Sequence, residues 1–130
     1  MDEGFTSFYD MLCEAEILGT EDPYSSFYNR YYQLVNSGVE EPLTTHADRF
    51  QYNFAYGVAS YSKGAVFLAQ LGYIIGAENL MKTIKRYYEV FQFSHPTPND
   101  FKRIAEKISG MQLEWYLNDL SLIHIRRCRR

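Results

Sequence analysis

The chain reads as all-α, and three observations predict it. Apolar residues recur three and four positions apart along most of the length. Gly, Pro, Asp and Asn punctuate those stretches where helices would start and stop. No segment alternates apolar and polar residues as a half-buried strand would. Of the 130 residues, 46% are apolar and 17% aromatic, which is core material for one small domain.

Each element follows from its own pattern. Phe5, Phe8, Leu12 and Ile17 predict a helix over 3–18, stopped by Gly19. Asp22-Pro23 looks like an N-cap followed by Pro at the first helical position, opening a helix over 22–37. Its stripe is Phe27, Tyr28, Tyr31, Leu34 and Val35, and Gly38 ends it. Residues 39–57 hold Pro42, Asn53 and Gly57 without a sustained period, and read as a long loop of the kind that is often functional. Residues 59–75 predict a helix apolar nearly all round, hence a central one, broken at Gly76. Leu80, Met81, Ile84, Tyr87, Tyr88 and Phe91 give the next. Thr97-Pro98-Asn99-Asp100 combines an N-cap, Pro and an acidic first turn, and Gly110 closes that helix. Residues 111–119, with Leu113, Trp115, Tyr116 and Leu117, predict a short last helix.

The charge narrows the function classes. The net charge is −3, but four of the thirteen basic residues are Arg126, Arg127, Arg129 and Arg130. Without residues 120–130 the count is 9 basic against 16 acidic, a net −7. An acidic body argues against nucleic acid as a partner. The segment Leu-Ser-Leu-Ile-His-Ile-Arg-Arg-Cys-Arg-Arg at 120–130 resembles the translation of a transposon-end adapter used in sequencing libraries, and is expected to be a non-native tail. Cys13 and Cys128 are the only cysteines and make neither a disulfide framework nor a thiolate zinc site. No run of 18 apolar residues exists, so no membrane segment is expected in this chain.

Two stretches carry chemistry. One is Asp2-Glu3-Gly4-Phe5-Thr6-Ser7-Phe8, the other Tyr56-Gly57-Val58-Ala59-Ser60-Tyr61-Ser62-Lys63-Gly64. Either alone is weak, since a Glu near a helix start usually just complements the helix dipole, and the chain has twelve tyrosines. Together they resemble the zinc aminopeptidases of the gluzincin type, peptidase family M1. Leu71-Gly72, Thr97-Pro98-Asn99-Asp100-Phe101 and the run from Ser109 to Tyr116 fit the same resemblance, which covers residues 2–119. Asp2 stands where Asn is commoner in the family, and Ser62 where many members have Glu.

The resemblance implies roles. Glu3 would be the third zinc ligand. Tyr61 would be the catalytic phenol that donates to the oxyanion, at the start of a helix, and Tyr56 would line the substrate site. The family's H-E-x-x-H and Gly-x-Met-Glu-Asn motifs are absent from residues 1–130. Residues 1–119 are therefore expected to be the helical C-terminal portion of a thermolysin-like catalytic domain, an incomplete one. The complete parent would use zinc and hydrolyse N-terminal residues from peptides. This chain alone is expected neither to bind zinc nor to be active, and its partner would be the missing remainder of the domain. The alternative is a non-catalytic helical interaction module descended from the same family. His46, beside Asp48 in the long loop, and His95, before Pro96, read as solvated or turn residues.

Overall fold

A central rod of helix, running from Asn53 to Ile75, organises the computed structural model, which describes residues 2–118. It is built of α3 (Asn53–Gly57), a π-helical turn (Val58–Lys63) and α4 (Gly64–Ile75). Around it lie α1 (Asp2–Leu18), α2 (Ser25–Ser37), α5 (Ala77–Phe91), α6 (Pro98–Ser109) and the short α7 (Glu114–Leu117). A 3-10 turn at Ala47–Arg49 is the one further helical piece among the described residues, and no strand occurs among them. The all-α expectation holds. The expected non-native tail at 120–130, with Cys128, lies outside the described residues, as does Asp119.

The core is one cluster whose buried members come from α1, α4, α5, α6 and the α7 region, with Phe27 of α2 packed against it. Phe8 and Met11 come from α1, Leu68, Leu71 and Ile75 from α4, Leu80 and Ile84 from α5, and Phe101 and Ala105 from α6. Burying each such large side chain contributes about 1.5–3 kcal/mol. Tyr116 fastens α7 to α4: its ring stacks on Phe67 at 5.0 Å and its hydroxyl donates to the Phe67 carbonyl at 2.7 Å. Gly72 lets α5 lie close, since a Cβ there would meet Leu80 Cδ2 at 2.9 Å.

The caps mostly follow the sequence. Thr97 and Asp100 form a reciprocal capping box with Pro98 at the start of α6, and Gly110 ends it with φ 71°. Three boundaries differ from the expectation. The second helix starts at Ser25, because the Asp22 carboxylate accepts from the Tyr24 amide at 3.1 Å and makes a turn instead of a cap. The last helix starts at Glu114, after the Leu113 amide is taken by the Glu106 carboxylate at 2.8 Å. The long loop ends at Tyr52, and the central helix begins at Asn53. Gly57 stays in that helix with φ −61° and ψ −49°. The sequence places Gly57 in the loop, but burial of Ala55 and Ala59 on either side of it in the chain outweighs its weak helix propensity.

Candidate active site

Three consecutive residues at the start of α1 each do a different job. Gly4 lies against Gly64 of α4, backbone to backbone. A Cβ on Gly4 would meet Gly64 Cα at 2.9 Å, and one on Gly64 would meet Gly4 Cα at 2.8 Å. Only glycine at both positions permits that crossing. Phe5 anchors the helix end. Its ring stacks on Tyr87 at 5.5 Å and meets Phe101 edge-on at 5.2 Å, while Tyr87 and Phe101 meet edge-on at 5.3 Å. Aromatic contacts of this geometry contribute about 0.5–1.5 kcal/mol each beyond burial. Glu3 is exposed, and its carboxylate is near enough for its charge to act on the Tyr61 phenol.

Tyr61 does not sit at a helix start, as the resemblance implied. It sits in the middle of the central rod, in the π-turn. The wider turn has a consequence for its neighbour. Residues five apart in an α-helix lie roughly 140° apart around the axis. A π-turn, with its i→i+5 bonding, brings Tyr56 and Tyr61 nearer to one face. Both are exposed. Tyr56 packs edge-on against Phe50 at 5.5 Å.

The electrostatics act on Tyr61 in one direction. The negative charge of Glu3 is the largest influence. Partial desolvation, the hydrogen bond to Glu3 and the more distant Tyr56 add to it, and all raise the phenol above its ordinary value of 10.0. The Tyr61 hydroxyl therefore holds its proton at neutral pH. It is a protonated hydrogen-bond donor in the neighbourhood of a carboxylate.

Lys63, two residues on, faces the opposite way. Its side chain is 3% exposed, and its ammonium lies 2.7 Å from Glu40 Oε1, itself 8% exposed. It also donates to the Glu41 carbonyl at 3.2 Å and lies over the Tyr31 ring at 5.9 Å from the centroid. Tyr31 is pushed up to about 12 by burial first, then by the Glu40 charge and its hydrogen bond to Glu40. In the sequence Lys63 stands only within a motif, and Tyr31 only within an apolar stripe, with nothing to mark Glu40 or Tyr31 as its partners. A buried Lys needs a carboxylate partner, and Glu40-Glu41 stands in the loop just before it. No periodicity, however, links positions 40 and 63.

The remaining candidates fall away from this face. His46 caps the 3-10 turn, its Nδ1 accepting from the Asp48 amide at 3.4 Å. His95 lines an apolar groove of about 1250 Å3 with Phe5, Tyr9, Met81 and Tyr88. Neither Glu3, Tyr56 nor Tyr61 lines that groove. Among the described residues no helix is long and apolar enough to cross a membrane.

One comparison with known proteins finds a family. The model of the peptidase family M1 domain matches residues 1–120, so the chain belongs to peptidase family M1. No curated protein and no solved structure matches it.

Proposed function

We propose that this chain supplies one metal-binding carboxylate and one transition-state donor to a zinc aminopeptidase of the gluzincin type. It would form the helical C-terminal portion of a thermolysin-like catalytic domain. The observation that carries the reading is the backbone contact of Gly4 with Gly64, which brings Glu3 within electrostatic reach of Tyr61. Two motifs far apart in sequence meet at one exposed point, in a chain of peptidase family M1.

The donor set fits part of a zinc site. Zinc accepts a carboxylate oxygen, and a catalytic site normally takes three protein ligands. Glu3 offers one such oxygen. Among the described residues no group of three or more His, Cys, Asp or Glu could hold a metal ion. The other two ligands, and the general base, would come from an H-E-x-x-H segment outside residues 1–130. Bound zinc polarises the scissile carbonyl and activates a water.

The chain's own residues have distinct tasks. Glu3 would hold the metal. Tyr61 would donate its O–H to the oxyanion that develops as the carbonyl is attacked, from a backbone position that the π-turn sets. Tyr56, on the same side of the rod and braced by Phe50, would line the wall beside the peptide. The chain alone, with one ligand, would be inactive. The test joins it to a segment bearing H-E-x-x-H. Zinc-dependent release of an N-terminal residue from an aminoacyl chromogenic substrate is expected, abolished by chelation and restored by zinc. A folded assembly that binds zinc yet cleaves no aminoacyl substrate would overturn the reading.

A further inference from the structure

The proposed site leaves its most buried ion pair unused, and that pair sits two residues from Tyr61. Lys63 is the hub. Its ammonium contacts Glu40 at 2.7 Å and the Glu41 carbonyl at 3.2 Å. The Glu41 carboxylate then accepts from the Gln51 amide at 3.0 Å. Gln51 stands two residues before Asn53, where α3 begins and leads to Tyr56. The contacts thus run in a closed circuit: π-turn, start of the loop, end of the loop, α3 and back to the π-turn. Tyr31 closes the other side, its ring under the Lys63 ammonium at 5.9 Å from the centroid. Both exposed tyrosines of the site lie on this circuit.

Burying two charges is costly unless they are paired. A loop needs no such pair merely to cover a helix, since apolar residues cover one at least as well. What an ion pair adds is direction. An ammonium with two oxygen partners fixes where the backbone carrying it must lie. A π-turn is a rare departure from the α-helical ladder, so its register needs a local constraint. We infer that Lys63 is a positioning residue, which through Glu40 and Glu41 latches the 40–52 loop to the π-turn and so sets where Tyr61 and Tyr56 stand. The inference rests on the site proposed above for its purpose, but not for its geometry.

The test uses the 130-residue chain without zinc or substrate, so its outcome is independent of whether the site is catalytic. The chain is labelled with 13C at tyrosine Cζ, and the Tyr61 resonance is assigned by its loss in Tyr61→Phe. Glu3→Gln gives the reference shift for loss of the neighbouring charge. In Lys63→Met/Glu40→Leu the pair is replaced by apolar groups that still fill the space. The Tyr61 resonance is expected to move at least half of the way to its Glu3→Gln position. Tryptic cleavage at exposed Arg49 in the loop should rise on the order of tenfold, with cleavage within α5 unchanged. Glu40→Gln, which keeps the side-chain shape, should give the same changes in weaker form if the double variant does not fold. An unmoved Tyr61 resonance with wild-type cleavage at Arg49 would overturn the inference. So would cleavage rising equally at Arg49 and in α5, which would make the pair a general stabiliser only.

Discussion

Replacing Gly4 by Ala places one methyl group where two helix backbones touch. The new Cβ would stand 2.9 Å from Gly64 Cα and 3.1 Å from Gly64 C. Carbon atoms rest at about 3.5–4.0 Å, so α1 and α4 must part by roughly 0.6–1.1 Å. Both neighbours are backbone atoms, so no side chain can swing aside. Overpacking of this kind costs about 1–3 kcal/mol. The gain in helix propensity from Gly to Ala, up to about 1 kcal/mol, offsets part of it. With the full offset a net loss of up to about 2 kcal/mol remains, a fall of up to roughly 10 °C in Tm for a chain of this size. The displacement falls on the residue after Glu3, so the influence of the Glu3 charge on Tyr61 should weaken with it. Two other glycines serve as controls. Gly57→Ala meets nothing within 4 Å in a helical backbone, and should stabilise by about 0.5–1 kcal/mol. Gly72→Ala meets only the tip of the Leu80 side chain, and should fall between. The assay is thermal or denaturant unfolding of the three variants side by side. If Gly4→Ala were as stable as Gly57→Ala, the close crossing would not exist and the structural reason for the Glu3-Gly4 pairing would be lost.

Three further outcomes follow from other parts of the molecule. Tyr31, ordinarily at 10.0, is pushed up to about 12 in the folded chain. Its contribution to stability is full below pH 10 and is lost as pH rises towards 12, amounting to about 3 kcal/mol over that window. Alkaline unfolding of wild type against Tyr31→Phe should show this extra slope in wild type only. Thr97→Ala removes the hydroxyl half of the capping box on α6, and should cost about 1 kcal/mol in urea unfolding. The chain alone, titrated with zinc in a calorimeter at neutral pH, should show no stoichiometric micromolar site. Such a site, lost in Glu3→Ala, would mean that the other ligands lie within these 130 residues.

The elements legible in the sequence were those governed by local chemistry. The capping box at Thr97, the left-handed stops at Gly38 and Gly110 and the stripe of α5 depend on residues within a turn or two of each other. The two functional motifs were legible as motifs, yet their meeting was not. It depends on Gly4 touching Gly64, a contact that no spacing encodes. The π-turn was missed because Gly57 looked like the end of a loop, and because residues 59–75 are apolar enough to satisfy an ordinary helix. The spacing of five between Tyr56 and Tyr61, flanked by Gly57 and Gly64, was the available signal. The Lys63–Glu40 pair was invisible for the reason most long-range ion pairs are: Coulomb attraction has no sequence period.

The account's central claim is that Glu3 and Tyr61 share one site but act at different stages, the carboxylate on the metal and the phenol on the transition state. Metal content and steady-state kinetics of Glu3→Ala and Tyr61→Phe, measured together in the assembled enzyme, test it most directly. Glu3→Ala should lose zinc and turnover together. Tyr61→Phe should keep its zinc and nearly its KM while kcat falls on the order of 10²–10³-fold, the effect of removing one oxyanion donor. Tyr56→Phe should lose much less. A Tyr61→Phe enzyme with wild-type turnover, or a Glu3→Ala enzyme with its zinc intact, would contradict the claim.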